Sequence, residues 1–280
     1  MINSSLHYEV HLNHSAHEWV VFIHGAGGNT STWKYQVESF KPLYNLLIID
    51  LRDHGRSKNI MPEKDNYTFD IITDDIKKVL DINGIEKAHF VTLSFGSVIM
   101  QDISIKYPNM VASAIFAGGI FKANLLIKSF VQLARFFNLF LPYFVMYSVF
   151  SYLLMPYRKH QKSRKIYQKQ ANKLSSKEYM KWVGLYNEFF RLLNRFYNQK
   201  INFPALAIMG KQDYVFLKSA QKFAKKHKNV IITEVKGAGH ICNIDQYDIF
   251  NELALYFIHE HKYQIEDTRP DFQAQRSKAG

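Results

Sequence analysis

Short apolar runs alternate along this chain with longer stretches in which apolar residues recur at three- and four-residue intervals. The runs Trp19–Ile23, Leu46–Asp50, His89–Leu93, Val111–Ala117, Ala205–Met209 and Val230–Val235 are rich in β-branched residues and show little polar alternation, which marks strands covered on both faces of a parallel sheet. Between them lie helical patterns such as Asp70–Leu80, where Ile71, Ile72, Ile76, Val79 and Leu80 share one face. Leu6, Tyr8, Val10 and Leu12 alternate with polar residues and predict an antiparallel edge strand. Together these patterns predict an α/β fold with a mostly parallel central sheet flanked by helices.

The alternation stops between Phe121 and Lys200, where the text becomes helical and aromatic, and strand character returns only after Pro204. The expectation is a helical cap, residues 121–200, inserted between strands of a core formed by 1–120 and 201–262. Beyond Lys262 there is no periodicity, so 263–280 reads as a flexible tail. Phe136 to Met155 is a run of twenty uncharged residues, long enough to cross a bilayer. Asn138 and Pro142 interrupt it, however, and both of its flanks must return to one sheet. Two apolar cap helices roofing a pocket are expected instead, followed by a solvated basic helix carrying Arg158, Lys159, Lys162, Arg164 and Lys165.

Composition sharpens this picture. A chain of 280 residues with 47% hydrophobic residues can bury a sizeable core. The first residues lack the basic and apolar regions of a secretory signal, which predicts a cytoplasmic protein. One cysteine, Cys242, permits no internal disulfide, and no His/Cys spacing suggests a metal; neither a metal nor another cofactor is expected. The net charge of +12 is uneven: residues 121–200 hold 15 Lys or Arg against Glu178 and Glu188. A charge confined to the cap leaves two readings open: a cap packed on its own core with a solvated basic face, or a basic ridge in peripheral contact with anionic lipid or an acidic leaving group. No nucleic-acid motif accompanies it, and none is expected as a partner.

Candidate chemistry appears at Thr92-Leu93-Ser94-Phe95-Gly96-Ser97, where a buried run passes through a serine into a helix bearing Val98, Ile99, Ile103 and Ile105. This is the form of a nucleophile elbow, in which a strained turn lifts the hydroxyl above the sheet and small residues let the helix pack closely. A simple packed turn is the alternative. Upstream, Val20–Ile23 runs into His24-Gly25-Ala26-Gly27-Gly28. Such a loop can present the Ala26 amide to a developing oxyanion, with the Phe95 amide at the helix N-terminus as second donor. The glycines do not form the dinucleotide or P-loop patterns. His24 is read as orienting this loop, Cys242 as a buried filler, Asp102 as a weak rival acid, and His7, His11, His14 and His17 as solvent-facing.

These motifs resemble the α/β-hydrolase superfamily, as does Asp50-Leu51-Arg52-Asp53-His54-Gly55-Arg56-Ser57, which is similar to the family's Asp-x-Arg-Gly-x-Gly-x-Ser loop. Thr92 replaces the first glycine of the elbow pattern, and Asp53 stands at the first glycine of the loop. The resemblance implies that Gly210-Lys211-Gln212-Asp213 delivers the orienting acid, Asp213, and that Gly237-Ala238-Gly239-His240 delivers the base, His240. The order Ser94, Asp213, His240 is the family's order. It implies an ester hydrolase, with the greasy cap pointing to a hydrophobic acyl group. A lyase or C–C or lactone hydrolase of a small metabolite is the alternative, with Arg135, Arg191 and Arg195 holding substrate carboxylates. A non-catalytic ligand receptor is the third reading.

Overall fold

A computed structural model describes residues 5–122, 125–137 and 140–263. The elements run β1 Tyr8–His11, β2 Trp19–Ile23, α1 Lys34–Phe40, β3 Asn45–Ile49, α2 Phe69–Ile82, β4 Ala88–Leu93, α3 Phe95–Lys106 and β5 Val111–Ala117. The cap follows as α4 Leu125–Phe137, α5 Tyr143–Leu154, α6 Gln161–Ala171, α7 Ser176–Gly184 and α8 Tyr186–Asn198. The chain then returns through β6 Ala205–Gly210, α9 Leu217–Lys226, β7 Val230–Val235, α10 Cys242–Asp245 and α11 Tyr247–Glu260.

The strands form one seven-stranded sheet in the order β1-β3-β2-β4-β5-β6-β7. Only β1 is antiparallel to its neighbour. The chain steps from β2 outward to β3 and then crosses back to β4, so the order reverses between β2 and β4. Open α/β sheets place their binding crevice at the carboxyl ends of the strands flanking such a switch. The loop after β2 holds Gly25–Gly28, and the turn after β4 holds Ser94.

Sequence pattern and burial agree in the middle of the sheet and part at its edges. β3, β4, β5 and β6 are buried along their whole length, as continuous apolar runs require. β7 is an outer strand, and Ile231 lies exposed on it. Along the first strand Leu6 is buried but Leu12 is exposed, because pairing with β3 ends at His11. His14 and His17 face solvent as expected, whereas His7 and His11 are half-buried beside the sheet edge. Tyr263, first residue of the expected tail, is held at this edge: its hydroxyl donates to the Lys87 carbonyl, and its amide donates to Glu18. Residues 264–280 of that segment lie outside the described residues.

The twenty-residue apolar run is divided between the end of α4 and α5. Among the described residues no helix is long and apolar enough to cross a membrane. The basic segment is less solvated than its composition suggests. Arg164 is buried: its guanidinium lies 4.2 Å over the Tyr152 ring and donates to the Met155 carbonyl.

Candidate active site

Each residue at the site is delivered by the end of a strand. Ser94 directly follows β4 and takes φ 51° and ψ −117°, a left-handed conformation that costs a non-glycine residue on the order of 1–3 kcal/mol. The surroundings impose it. The Ser94 amide donates to the Ala117 carbonyl, and the Ser94 carbonyl accepts from the amide and hydroxyl of Ser97. Gly96 is required by proximity: a Cβ there would sit 2.5 Å from the Ile23 carbonyl oxygen. Thr92, in place of the usual glycine, fits because its hydroxyl donates to the Ile115 carbonyl on the next strand. The Ser94 side chain does not cap α3, which leaves its hydroxyl available.

That hydroxyl lies 2.7 Å from Nε2 of His240, whose Nδ1 lies 2.7 Å from Oδ2 of Asp213. A carboxylate can only accept, so Nδ1 carries the proton and Nε2 accepts from Ser94. Asp213 is fully buried, and its other oxygen accepts from the Phe216 amide. The His240 backbone passes so close to Gly118 that a Cβ at the latter would lie 2.3 Å from the His240 carbonyl oxygen. Asp102 takes no part here: burial raises its carboxyl, which accepts from Thr73 on α2. Cys242 is buried, its thiol donating to the Ile208 carbonyl and pushed up by burial.

Two buried histidines shape the loop after β2. His24 accepts the Leu51 amide at Nε2 and donates from Nδ1 to the Gly25 carbonyl. His54 accepts the Gly27 amide at Nε2 and donates to the Arg52 carbonyl. Burial lowers His24 to about 4 and His54 to about 3, so both imidazoles are neutral, as this bonding requires. No sequence pattern points to His54, because its partner is a backbone amide 27 positions away. Among the described residues no protein group accepts from the Ala26 or Phe95 amide, and both residues border the cavity at Ser94. Asp53 adopts φ 65°, the conformation a glycine would supply, and accepts a 2.5 Å bond from the Tyr67 hydroxyl.

Above Ser94 lies a cavity of about 210 Å³, bordered by Ile127, Met146, Phe150, Trp182, Leu185 and Phe189 of the cap among others. Phe95 forms its floor, stacked 6.0 Å from Phe189. Among the described residues no Lys, Arg, Asp or Glu borders it. Arg191 and Arg195 are exposed on α8, away from this lining, and the Arg135 side chain lies outside the described residues. A second recess of about 20 Å³ also borders Ser94, against His240, Ile241 and Ile244. His160 of the cap, which no sequence signal singled out, is buried over Gly239 and bonds Gln212 beside Asp213. No cluster of three or more His, Cys, Asp or Glu able to hold a metal occurs among the described residues.

Residues 18–247 match the sequence model of the alpha/beta hydrolase fold family. Epoxide hydrolase 3 of Mus musculus is 32% identical over 114 residues, covering 41% of this chain and 30% of that protein. Ethanol acetyltransferase 1 of Cyberlindnera jadinii is 28% identical over 109 residues, 37% of this chain and 30% of that protein. The chain thus spans about a third of the length of these curated relatives. The crystal structure of an enol-lactonase from Burkholderia xenovorans LB400 superposes with a TM-score of 0.73 at 19% identity, over 91% of this chain and 96% of that one. That likeness is one of fold.

Proposed function

This chain belongs to the α/β-hydrolase family, and we propose that it is a serine esterase acting on esters of hydrophobic acids. The observation that carries this reading is the joining of a hydrogen-bonded Ser94–His240–Asp213 relay to a cavity without a charged lining.

The steps follow from the geometry. Ser94 Oγ attacks the acyl carbon while His240 Nε2 takes its proton, and Asp213 stabilises the imidazolium through Nδ1–H. The carbonyl oxygen becomes an oxyanion between the amides of Ala26 and Phe95, donors fixed in place before the reaction starts. Collapse of the tetrahedral intermediate breaks the bond to the alkoxide, which leaves with the proton from His240. The acyl group remains on Ser94 until water, deprotonated by His240, releases the acid. The large cavity suits the acyl chain. The small recess beside His240, with room for about one water, limits the leaving side to a small group.

Other reactions fit the site less well. Attack of Ser94 on an epoxide would form an ether, which water does not cleave under these conditions, whereas an acyl-serine is readily hydrolysed. Among the described residues a carboxylate-rich metabolite would find no cation bordering the cavity, because the described cap arginines face solvent or, at Arg164, the cap's own backbone. A lactone is a cyclic ester and falls within the proposed chemistry. The reading is tested by kcat/KM across ethyl esters of two- to twelve-carbon acids. It should rise with acyl length before levelling, and a flat or falling series would overturn it.

A further inference from the structure

Large apolar side chains also lie on the outer side of α4 and α5. On α5, Met146 and Phe150 turn toward the cavity, yet Phe144, Val149 and Tyr152 on the same helix are 48%, 54% and 55% exposed. A helix of a water-soluble surface carries polar residues on that side. At the corner between α4 and α5, Phe136 and Phe140 are 58% and 72% exposed. Their rings lie 5.7 Å apart, and Phe136 also meets Phe137 at 5.5 Å. Leu133 and Leu141 extend this patch. A cluster of exposed large side chains, rather than isolated ones, marks an interaction surface.

The cap that bears it carries charge mostly of one sign, with 15 Lys or Arg against two acids in residues 121–200. The cap's two acids both face the core: Glu178 pairs with Lys58 at 2.7 Å, and Glu188 accepts the Phe69 amide. Among the described residues Lys128 on α4, Lys159, and Lys165 and Lys169 on α6 have no carboxylate within salt-bridge distance. Of these, Lys128 and Lys159 rest on the Phe190 and Tyr157 rings. Exposed aromatic and leucine side chains on a cap where these lysines are not neutralised by carboxylates complement a surface that is apolar within and negative outside. An anionic bilayer has that profile.

We propose that the α4–α5 corner of the cap docks on an anionic membrane surface, with Leu133, Phe136, Phe140, Leu141 and Phe144 entering the boundary between headgroups and acyl chains and cap lysines meeting lipid phosphates. The helices that touch lipid on one side border the catalytic cavity on the other, so an apolar ester passes from bilayer to cavity without crossing water. The docking surface stands on its own observations; the route for substrate rests on the esterase reading.

Flotation of the full chain as Ser94→Ala with vesicles tests this without hydrolysis. Phosphatidylcholine vesicles are compared with vesicles containing one-third phosphatidylglycerol, at low and high salt. The expected result is binding to the anionic vesicles that weakens with salt, and a loss of roughly tenfold or more in Phe136→Ser/Phe140→Ser. Lys165→Glu/Lys169→Glu should lose roughly fivefold or more. In the Ser94 background the aromatic variant should hydrolyse a soluble acetate ester as the parent does, which establishes that it folds. Absence of vesicle binding would overturn the docking proposal, as would equal binding by the variants. So would a sedimentation-velocity dimer that Phe136→Ser/Phe140→Ser converts to monomer, because the patch would then be covered by a second copy of the chain. A failed acyl series with vesicle binding intact would remove the esterase reading and leave the docking surface standing.

Discussion

Nε2 of His240 lies 2.7 Å from Oγ of Ser94 across 146 positions of sequence, and the sheet accounts for the meeting. β4, β6 and β7 run parallel, so the residues that follow them emerge at the same edge of the sheet. The 2.7 Å contact of Nδ1 with Asp213 then selects the tautomer in which Nε2 can accept. An amide at position 213 can donate to Nδ1 and so favours the opposite tautomer. Asp213→Asn should lower kcat by roughly 10³–10⁴-fold with little change in KM, measured by steady-state hydrolysis of a soluble ester. A loss below tenfold would remove Asp213 from the relay.

The elbow makes a stability prediction. Gly96→Ala places a methyl 2.5 Å from the Ile23 carbonyl oxygen and 2.6 Å from that of His24. The helix must shift away from β2, which should cost about 1–3 kcal/mol or more and displace the Phe95 amide from the oxyanion. Urea unfolding and kcat should therefore fall together. Unchanged activity at reduced stability would show that α3 can move without disturbing the site.

His24 and His54 make stability depend on pH. In the folded chain burial holds them at about 4 and about 3, against an ordinary 6.5. Between pH 6.5 and those values the unfolded chain binds protons that the folded chain does not, so their contribution is complete above 6.5 and is lost as pH falls. The slope is about 1.4 kcal/mol per pH unit for each histidine. Urea midpoints measured from pH 7 to 5 should decline, and less steeply in His54→Asn. Parallel slopes in the two proteins would contradict neutral burial of His54.

The two recesses at Ser94 predict an asymmetry between the halves of the ester. If the proposed esterase places its acyl chain in the larger cavity, ethyl esters of long acids should have higher kcat/KM than acetates of long alcohols with the same carbon count. Met146→Trp, which fills part of that cavity, should penalise long acyl chains while sparing acetate. The reverse preference would place the alcohol in the large cavity.

The sheet and the place of its nucleophile were legible in the sequence for one physical reason: strands buried on both faces leave continuous apolar runs, and the residue after each run must lie at the sheet's edge. Ser94 could therefore be placed at the sheet's edge from the pattern alone, whereas Asp213 and His240, three and five residues beyond β6 and β7, were placed by the resemblance of their loops to those of the family. At the sheet's own margins the rule weakens, and Leu12 and Ile231 are exposed where pattern alone suggested burial. The cap was legible only as helices. Helices such as α5, apolar on every side, carry no periodicity to show which residues face the cavity, so Met146 and Phe144 look alike in the text. Arg164, Arg191 and Arg195 mislead in the opposite sense, because charge alone does not tell whether a side chain stacks on its own helix, faces a ligand or faces water. His54 acts through backbone groups, which leave no trace in residue identity.

The central claim is that Ser94 carries the acyl group. Incubation with a fluorophosphonate ester followed by intact-mass and peptide analysis tests it most directly, using the wild type, Ser94→Ala and His240→Ala. The prediction is one phosphonyl adduct per chain on the peptide containing Ser94, absent from Ser94→Ala and formed far more slowly in His240→Ala. Adduct formation at another residue, or none in the wild type while esters are still hydrolysed, would contradict the account.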